Sequence, residues 1–166
     1  MSELIIRKAR KEDVAKILEI VNYEIVNSTV VYDYKERTYD AQLNWFEQKS
    51  QEGMPILVAE KEGDVIGFGT YGFFRPRAAY QFSVEHSIYV HKNVRGLGIG
   101  KELMTELIDL AKEGGFHTMI AGVDASNDRS VEFHEKFGFK EVGTFKEVGF
   151  KFDKWLDVNF LQLILK

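Results

Sequence analysis

The feature that most constrains this chain is a glycine-rich turn that leads directly into its clearest helix. The turn, Arg95-Gly96-Leu97-Gly98-Ile99-Gly100-Lys101, follows an apolar run ending at Val90. Residues Lys101 to Glu113 then show the apolar spacing of a helix. Alternating glycines let backbone N–H groups converge on an anion, and the helix start adds unpaired donors and the positive end of its dipole. The segment is suited to bind a pyrophosphate, and a flexible turn before a helix is the alternative.

Two other nucleotide-binding motifs fail on spacing or on context. A Walker loop needs a glycine five residues before Gly100 and a Ser or Thr after Lys101, where this chain has Arg95 and Glu102. The stretch Gly67-Phe68-Gly69-Thr70-Tyr71-Gly72 matches the dinucleotide fingerprint, but it lies in a strand-like segment that no helix follows. We interpret these glycines as strand positions.

Hydrophobic periodicity predicts a mixed α/β domain. Helical spacing predicts helices at Lys11 to Val26, after an N-cap at Thr38, at Lys101 to Glu113 and after an N-cap at Asn127. Predicted strands are Leu4 to Lys8, Ile56 to Glu60, Val65 to Phe74, Ser83 to Val90, Thr118 to Val123, Phe139 to Gly149 and Trp155 to Leu165. The order predicts one domain over residues 1–166, with a mixed, mostly antiparallel sheet of about seven strands and helices on both faces.

Composition narrows the class of protein. The 166 residues carry a net charge of -4, which gives no general attraction to nucleic acid or to anionic membranes. The chain has no cysteine, which excludes disulfides, thiolate metal sites and a thiol nucleophile. Its start lacks the shape of a signal peptide and no apolar run approaches membrane-spanning length, so we expect a cytoplasmic protein. No histidine and carboxylate positions have convincing metal-ligand spacing, so no metal is expected.

Several motifs resemble the GNAT acetyltransferase superfamily. The turn Arg95 to Gly100 is similar to its Arg/Gln-x-x-Gly-x-Gly/Ala signature, which grips the pyrophosphate of coenzyme A. Asn127-Asp128-Arg129-Ser130, followed by Phe137-Gly138-Phe139, is similar to its second hallmark, an Asn-led helix ending in Gly-Phe. The segments that resemble the phosphinothricin and methionine sulfoximine acetyltransferases in particular are Arg75-Pro76-Arg77, Val84 to Val90, Val148 to Phe152 and Trp155 to Val158.

This resemblance covers nearly the whole chain and implies the GNAT fold, with acetyl-CoA as co-substrate. It implies that backbone N–H groups near Ile88, Tyr89 and Val90 meet the thioester carbonyl. The other residues expected at coenzyme A are Arg95, Gly96, Leu97, Gly98, Ile99, Gly100, Lys101, Asn127 and Ser130. The related enzymes usually form homodimers, and the segment around Trp155 and Phe160 is a candidate interface.

Glu85 is the predicted general base, acting directly or through a water. Strand alternation places Glu85, Ser87 and Tyr89 on one face, and an acid bounded by apolar residues is partly desolvated, which raises its pKa. A carboxylate at a solvated sheet edge is the alternative. His86 points to the opposite face by the same alternation, so we expect no dyad between His86 and Glu85.

The leaving thiolate needs a proton. Many GNAT enzymes place a Tyr seven residues after the Asn of the second hallmark, and here that position is His134. Histidine can act as an acid near neutral pH. A role for His134 in packing or hydrogen bonding is the alternative.

The predicted substrate site matches both ends of an α-amino acid. Arg75 and Arg77 can fork onto a carboxylate, with Pro76 stiffening their presentation, and Glu85 faces the amine; a solvated basic turn is the alternative. Predicted substrate-binding residues are Arg75, Pro76, Arg77, Glu85, His86 and Ser87, with Tyr32, Phe74, Tyr80 and Phe82 as candidate walls.

The resemblance implies N-acetylation of a small L-amino acid or analogue of the methionine sulfoximine, methionine sulfone or phosphinothricin type. The alternatives are acetylation of peptide N-termini or other amines, and a non-catalytic acyl-CoA-binding sensor. A polyamine site should be acidic, so Arg75 and Arg77 weigh against that class of substrate.

Overall fold

A computed structural model describes residues 2–166 and confirms the predicted mixed sheet. The strands are β1 (Leu4–Lys8), β2 (Ile56–Lys61), β3 (Asp64–Phe73), β4 (Ser83–Val90), β5 (Thr118–Asp124), β6 (Lys140–Lys151) and β7 (Lys154–Ile164). The α-helices are α1 (Val14–Asn27), α2 (Tyr39–Gln51), α3 (Ile99–Glu113) and α4 (Asp128–Glu135), with single 3-10 turns at Lys11–Asp13, Ala78–Tyr80 and Lys92–Val94. The seven strands lie in the order β1-β2-β3-β4-β5-β7-β6. Neighbours are antiparallel except β4 and β5, which are parallel.

Helices cover both faces of the sheet, as predicted. On one face α3 buries Leu103 and Leu107 completely, together with Met119 of β5 and Leu161 of β7. On the other face α1 buries a stripe that packs on β2 and β3 around Phe68. Each large apolar side chain buried in this way contributes about 1.5–3 kcal/mol to folding. The two layers therefore hold the central strands, and β4 in particular, firmly in place.

The sheet opens between β4 and β5. Strand β4 pairs with β3 along its whole length, but it pairs with β5 only from Ser83 to Glu85. The N–H of His91 donates to the carbonyl of Ile66 on the β3 side, at 2.8 Å. Strand alternation then directs the N–H groups of Ile88 and Val90 away from β3 and that of Tyr89 towards it. The fold thus leaves a gap in the sheet that is edged by two main-chain donors.

The ends of three helices differ from the prediction. Helix α1 begins at Val14 rather than Lys11, because the carboxylate of Asp13 accepts the N–H of Arg10 at 2.7 Å and holds the preceding residues in a 3-10 turn. Helix α3 begins at Ile99, since Gly98 takes a left-handed conformation and caps it. The spacing of Phe133 and Phe137 predicts one helix that carries both, and this is wrong because α4 stops at Glu135; the two rings still meet, with centroids 5.2 Å apart.

Both predicted N-caps are confirmed. The hydroxyl of Thr38 accepts the N–H of Ala41 at 3.2 Å, and the side chain of Asn127 accepts the N–H of Ser130 at 3.1 Å. Each such cap satisfies a donor that the helix itself leaves unpaired. Among the described helices, none combines the length and the apolar character needed to cross a bilayer.

Candidate active site

The glycine-rich turn presents its main chain to solvent at the start of α3. Gly96 and Gly98 have φ values of +80° and +81°, a left-handed conformation that favours glycine. The segment from Arg95 to Gly98 is exposed, and Leu97 keeps 65% of its surface. The unpaired N–H groups of the first turn of α3 therefore remain accessible. This geometry fits an anionic group such as a diphosphate.

The side chain of Arg95 turns away from the glycines and towards α1. Its guanidinium is paired with the carboxylate of Glu24 and lies 5.9 Å from the ring centroid of Tyr23. Glu24 is buried and also accepts the hydroxyl of Ser28 at 2.6 Å. The side chain of Arg95 thus anchors the turn to α1, and Arg95 contributes only its main chain to the exposed surface of the glycine turn.

A cavity of about 650 Å³ occupies the gap between β4 and β5. It brings together residues from five separate parts of the chain: the segment after α1, the end of β3, strand β4, the end of β5 with α4, and the β6–β7 hairpin. The predicted site residues that line it are Arg75, Glu85, His86, Ser87, Ile88, Tyr89, Asn127, Ser130 and His134. The turn from Arg95 to Lys101 lies outside this lining, beyond the end of β4.

Glu85 stands on the cavity wall where β4 and β5 part. Burial raises the pKa of its carboxyl group, and the charge of Arg75 partly opposes that shift. A Cβ added at Gly122 would lie 3.6 Å from Oε2 of Glu85, so the glycine leaves space beside the carboxylate. The solvated sheet edge considered above is therefore not the environment of Glu85. A half-buried carboxylate with a raised pKa is a better proton acceptor near neutral pH.

The Arg75-Pro76-Arg77 segment contributes one arginine to the cavity. Arg75 lies with its guanidinium 4.2 Å from the ring centroid of Phe74 and donates to the carbonyl of Phe74 at 2.9 Å. Pro76 and Arg77 are not among the lining residues, and Arg77 leads into the 3-10 turn that follows. The structure does not bring the two arginines to one point. Of the candidate walls, Tyr32 lines the cavity, whereas Phe74, Tyr80 and Phe82 do not.

Two histidines pair on the other side of β4. The Nε2 atoms of His86 and His134 lie 2.9 Å apart, and Nδ1 of His134 lies 2.6 Å from the carbonyl of Ser130. A carbonyl only accepts, so the proton of neutral His134 is assigned to Nδ1, and its Nε2 accepts the Nε2–H of His86. Nδ1 of His86 is buried without a partner. His86 thus pairs with His134 and not with Glu85.

Both histidines are held neutral. Desolvation, followed by the neighbouring His134, lowers the pKa of His86 to about 3. Burial also lowers the pKa of His134, against the opposing effect of its hydrogen bond to Ser130. Within residues 2–166 no group of three or more His, Cys, Asp or Glu side chains is arranged to hold a metal ion.

Comparison with known proteins decides the family. The chain matches the Acetyltransferase (GNAT) family over residues 7–139. An L-methionine sulfoximine/L-methionine sulfone acetyltransferase of Salmonella typhimurium is 38% identical over 160 residues, which are 96% of this chain and 94% of that protein. The chain belongs to the GNAT acetyltransferase family. The implied GNAT fold is thereby confirmed.

Solved structures agree with this assignment. The crystal structure of an N-acetyltransferase from Staphylococcus aureus Mu50 is 50% identical, matches 99% of this chain and 100% of its own, and has a TM-score of 0.98. A GNAT superfamily phosphinothricin acetyltransferase (Pat) from Sinorhizobium meliloti, solved in complex with acetyl-CoA, is 36% identical. It covers 98% of this chain and 88% of its own, with a TM-score of 0.95.

The residues of this acetyltransferase fit an acetyl-CoA molecule. The exposed amides at the start of α3 suit its diphosphate, and the gap between β4 and β5 is edged by the N–H groups of Ile88 and Val90, on the same strand as Glu85. Asn127 and Ser130 line the same cavity at the start of α4.

Sequence reasoning missed one wall of the acetyltransferase cavity. Ser28, Thr29 and Val30 follow α1, and Asp124 ends β5; the hydroxyl of Thr29 donates to Oδ2 of Asp124 at 2.6 Å. Asp124 carried a usable signal, because it is the first polar residue after a buried-strand run. The segment after α1 carried none, since its neighbours in space lie 95 residues further along the chain.

Proposed function

We propose that this acetyltransferase transfers the acetyl group of acetyl-CoA to the α-amino group of a small L-amino acid or analogue, with Glu85 as the general base. The observation that carries the proposal is the position of Glu85, whose half-buried carboxyl lies on the cavity wall where β4 and β5 part. Burial raises the pKa of this carboxyl, and the charge of Arg75 partly opposes that rise. Relatives named for methionine sulfoximine, methionine sulfone and phosphinothricin support this class of acceptor.

Acetyl-CoA supplies an acetyl group activated as a thioester. In our proposal the main-chain amides from Arg95 to Lys101 hold its diphosphate, and Asn127 and Ser130 border its path through the cavity. The N–H groups of Ile88 and Val90 point into the gap, where they stabilise negative charge on the carbonyl oxygen. Both contacts are made by the main chain and depend little on side-chain identity.

Glu85 removes one proton from the acceptor ammonium, directly or through one water. The nitrogen then bonds to the carbonyl carbon, the C–S bond breaks, and the second proton that the nitrogen loses passes through solvent to the leaving thiolate. Burial raises the pKa of Glu85 and makes it a stronger base than an exposed glutamate, while the charge of Arg75 partly opposes that rise. The same Arg75 is our candidate partner for the acceptor carboxylate, because it lines the cavity and its charge is felt at Glu85. An apolar part of the lining, Phe145, Val148, Val158 and Phe160, suits an uncharged side chain.

The contacts of His134 favour hydrogen bonding over proton donation. Its one N–H donates to Ser130 and its Nε2 accepts from His86, so neutral His134 has no free proton for a thiolate. The ¹⁵N shifts of the imidazole nitrogens test this assignment. A proton on Nδ1 of His134 at pH 7 agrees with the holding role, and a proton on Nε2 would restore the role of acid.

The function is tested by release of free coenzyme A from acetyl-CoA with a panel of amines, and by mass spectrometry of the products. We expect N-acetylation of free L-amino acids or their sulfoximine, sulfone or phosphinic analogues. Acetylation of peptide N-termini alone would favour the peptide-modifying alternative. Coenzyme A binding without turnover on any amine would favour the sensor.

We also propose that two copies pair through the β6–β7 hairpin. Its exposed apolar side chains outside the cavity lining are Val142, Phe150, Phe152 and Trp155, with Trp155 63% exposed. Phe160, the other candidate, lines the cavity, as do Phe145 and Val148. Light scattering after gel filtration should give a dimer mass, and Trp155→Glu should lower it to that of a monomer.

A cytoplasmic location stays a prediction, testable by cell fractionation.

A further inference from the structure

The segment from Ser28 to Tyr34 forms one wall of the cavity without helix or strand structure of its own. Its main chain is held by a lysine of the β6–β7 hairpin. Nζ of Lys151 donates to the carbonyls of Ser28 and Val31, at 2.9 and 2.6 Å, and the residue is only 4% exposed. An ammonium group this deeply buried needs such acceptors to offset its lost hydration. Lys151 therefore fixes the segment in a single position.

Two further contacts hold the same segment. The hydroxyl of Tyr34 donates to the carbonyl of Phe150, the residue before Lys151, and Thr29 is bound to Asp124 at 2.6 Å. The segment is thus fastened to the hairpin at its far end and to β5 at its near end. Tyr32 lies between these anchors and lines the cavity.

Gly149 provides the space in which the Tyr32 ring rests. A Cβ added at Gly149 would lie 2.7 Å from Cε2 and 3.1 Å from Cζ of Tyr32, inside van der Waals contact. The φ angle of Gly149 is not in the left-handed range, so room for the ring and not backbone conformation is what calls for glycine here. Gly143 on the same strand has nothing within 4 Å of its added Cβ.

We propose that Gly149 and Lys151 are positioning residues that set acceptor specificity: they fix Tyr32 and the segment around it, and so decide how long an acceptor side chain the cavity admits. This inference rests on the proposed function and deepens it. It gives a role to the Val148-to-Phe152 motif, in which neither Gly149 nor Lys151 lines the cavity.

The substitution Gly149→Ala tests the inference. Ordinary contacts begin at 3.4 Å and the added Cβ would meet the ring at 2.7 Å, so Tyr32 must give way by about 0.7 Å. Tyr32 lines the cavity and Gly149 does not, so we expect the ring to move towards the cavity. Longer acceptors then lose more than shorter ones, since one methylene in a fitted pocket is worth roughly 10-fold or more in kcat/KM.

The measurement is kcat/KM for a series of linear L-amino acids with one to four side-chain carbons, at saturating acetyl-CoA. For Gly149→Ala we expect the ratio of the longest to the shortest acceptor to fall roughly 10-fold. The KM for acetyl-CoA and the melting temperature should match those of Gly143→Ala, the control on the same strand. Lys151→Met should raise the KM for every acceptor, whereas Lys140→Met, at an exposed position of β6, should not.

A double variant separates positioning from general damage. In a Tyr32→Ala background there is no ring to displace, so Gly149→Ala should leave the acceptor ratio unchanged. Equal acceptor ratios for Gly149→Ala and Gly143→Ala, or an equal loss with and without Tyr32, would overturn the inference.

The proposed function is judged separately, by whether the unaltered protein acetylates any member of the series. If it acetylates none, crystal structures of Gly149→Ala and Gly143→Ala decide the positioning claim alone. A Tyr32 ring that has moved only in Gly149→Ala supports it, and an unmoved ring contradicts it.

Discussion

The two ends of the active-site cleft are built on different principles. In the proposed site, the cofactor end is an exposed turn between β4 and α3 that offers backbone N–H groups, and its glycines matter for the conformation they allow. The proposed acceptor end takes Glu85 from β4, Arg75 from the loop before it and Tyr32 from the segment after α1, and these residues act through their side chains. A main-chain site is encoded locally and tolerates substitution wherever the backbone conformation does not call for glycine. A side-chain site is encoded across the whole chain and fails when one residue changes.

The largest effect should follow loss of the base at the acceptor end. Glu85→Gln keeps the shape of the side chain but cannot accept the ammonium proton, so kcat should fall roughly 10²–10⁴-fold. The affinity for coenzyme A, measured by calorimetry, should stay the same, because the turn at α3 is untouched. Glu106→Gln, at an exposed position of α3, is the control. Undiminished turnover in Glu85→Gln would remove Glu85 from the mechanism.

Loss of the arginine at the same end should give the next largest effect. Arg75→Met should lower kcat/KM for amino acids about 10–100-fold, the range for losing a charge-assisted hydrogen bond. It should also move the acidic limb of the pH–rate profile to higher pH, because Arg75 lowers the pKa of Glu85 and its removal lets that pKa rise. Arg77→Met, outside the cavity lining, should change neither quantity. Equal losses in both variants would exclude a specific role for Arg75.

At the proposed cofactor end, we expect an effect from a change of backbone conformation. Gly98→Ala imposes a Cβ on a φ of +81°, a strain of about 1–2 kcal/mol, and should raise the KM for acetyl-CoA roughly 10-fold. Gly53→Ala imposes the same kind of strain at a φ of +68°, remote from the cleft. It should lower stability without changing that KM. Matching KM values in the two variants would show that the turn does not bind the cofactor.

The smallest effect concerns stability and pH at the histidine pair beside the acceptor end. The pKa of His86 is lowered to about 3 in the folded chain, so the unfolded chain binds more protons below its ordinary pKa of 6.5. This contribution to stability is present above pH 6.5 and is lost as the pH falls, by at most about 1.4 kcal/mol per pH unit. The free energy of unfolding, measured by urea denaturation at several pH values between 7 and 5, should fall less steeply with falling pH in His86→Gln than in the exposed-site control His117→Gln. An equal pH dependence in the two variants would mean that His86 is charged in the folded protein.

The sequence predicted the local structure of the glycine turn better than the composition of the cavity, for the same physical reason. Turn geometry and a helix start depend on neighbouring residues, so the spacing from Arg95 to Lys101 was enough to predict a glycine turn that leads into a helix. Strand alternation likewise predicted correctly that His86 forms no dyad with Glu85, since His86 pairs with His134. The succession of strands and helices along the chain and both N-caps also followed from local patterns.

Long-range contacts could not be predicted in this way. The pairing of His86 with His134 joins residues 48 positions apart, and the bond from Lys151 to Val31 spans 120. Neither contact follows from the spacing of residues along the chain. The first forms only when β4 packs against α4, and the second only when the β6–β7 hairpin packs on the segment after α1. We expected Arg75 and Arg77 to bind one carboxylate together because they lie close in the sequence. The chain enters a 3-10 turn after Arg77, and only Arg75 lines the cavity.

The central claim is that main-chain amides at the start of α3 hold the diphosphate while the gap between β4 and β5 directs the thioester at Glu85. A crystal structure with coenzyme A and an amino-acid acceptor tests it most directly. We predict diphosphate oxygens within about 3 Å of N–H groups between residues 95 and 101, and the sulfur in the gap beside Ile88. A diphosphate bound elsewhere, or a sulfur on the far side of the sheet from Glu85, would contradict the account.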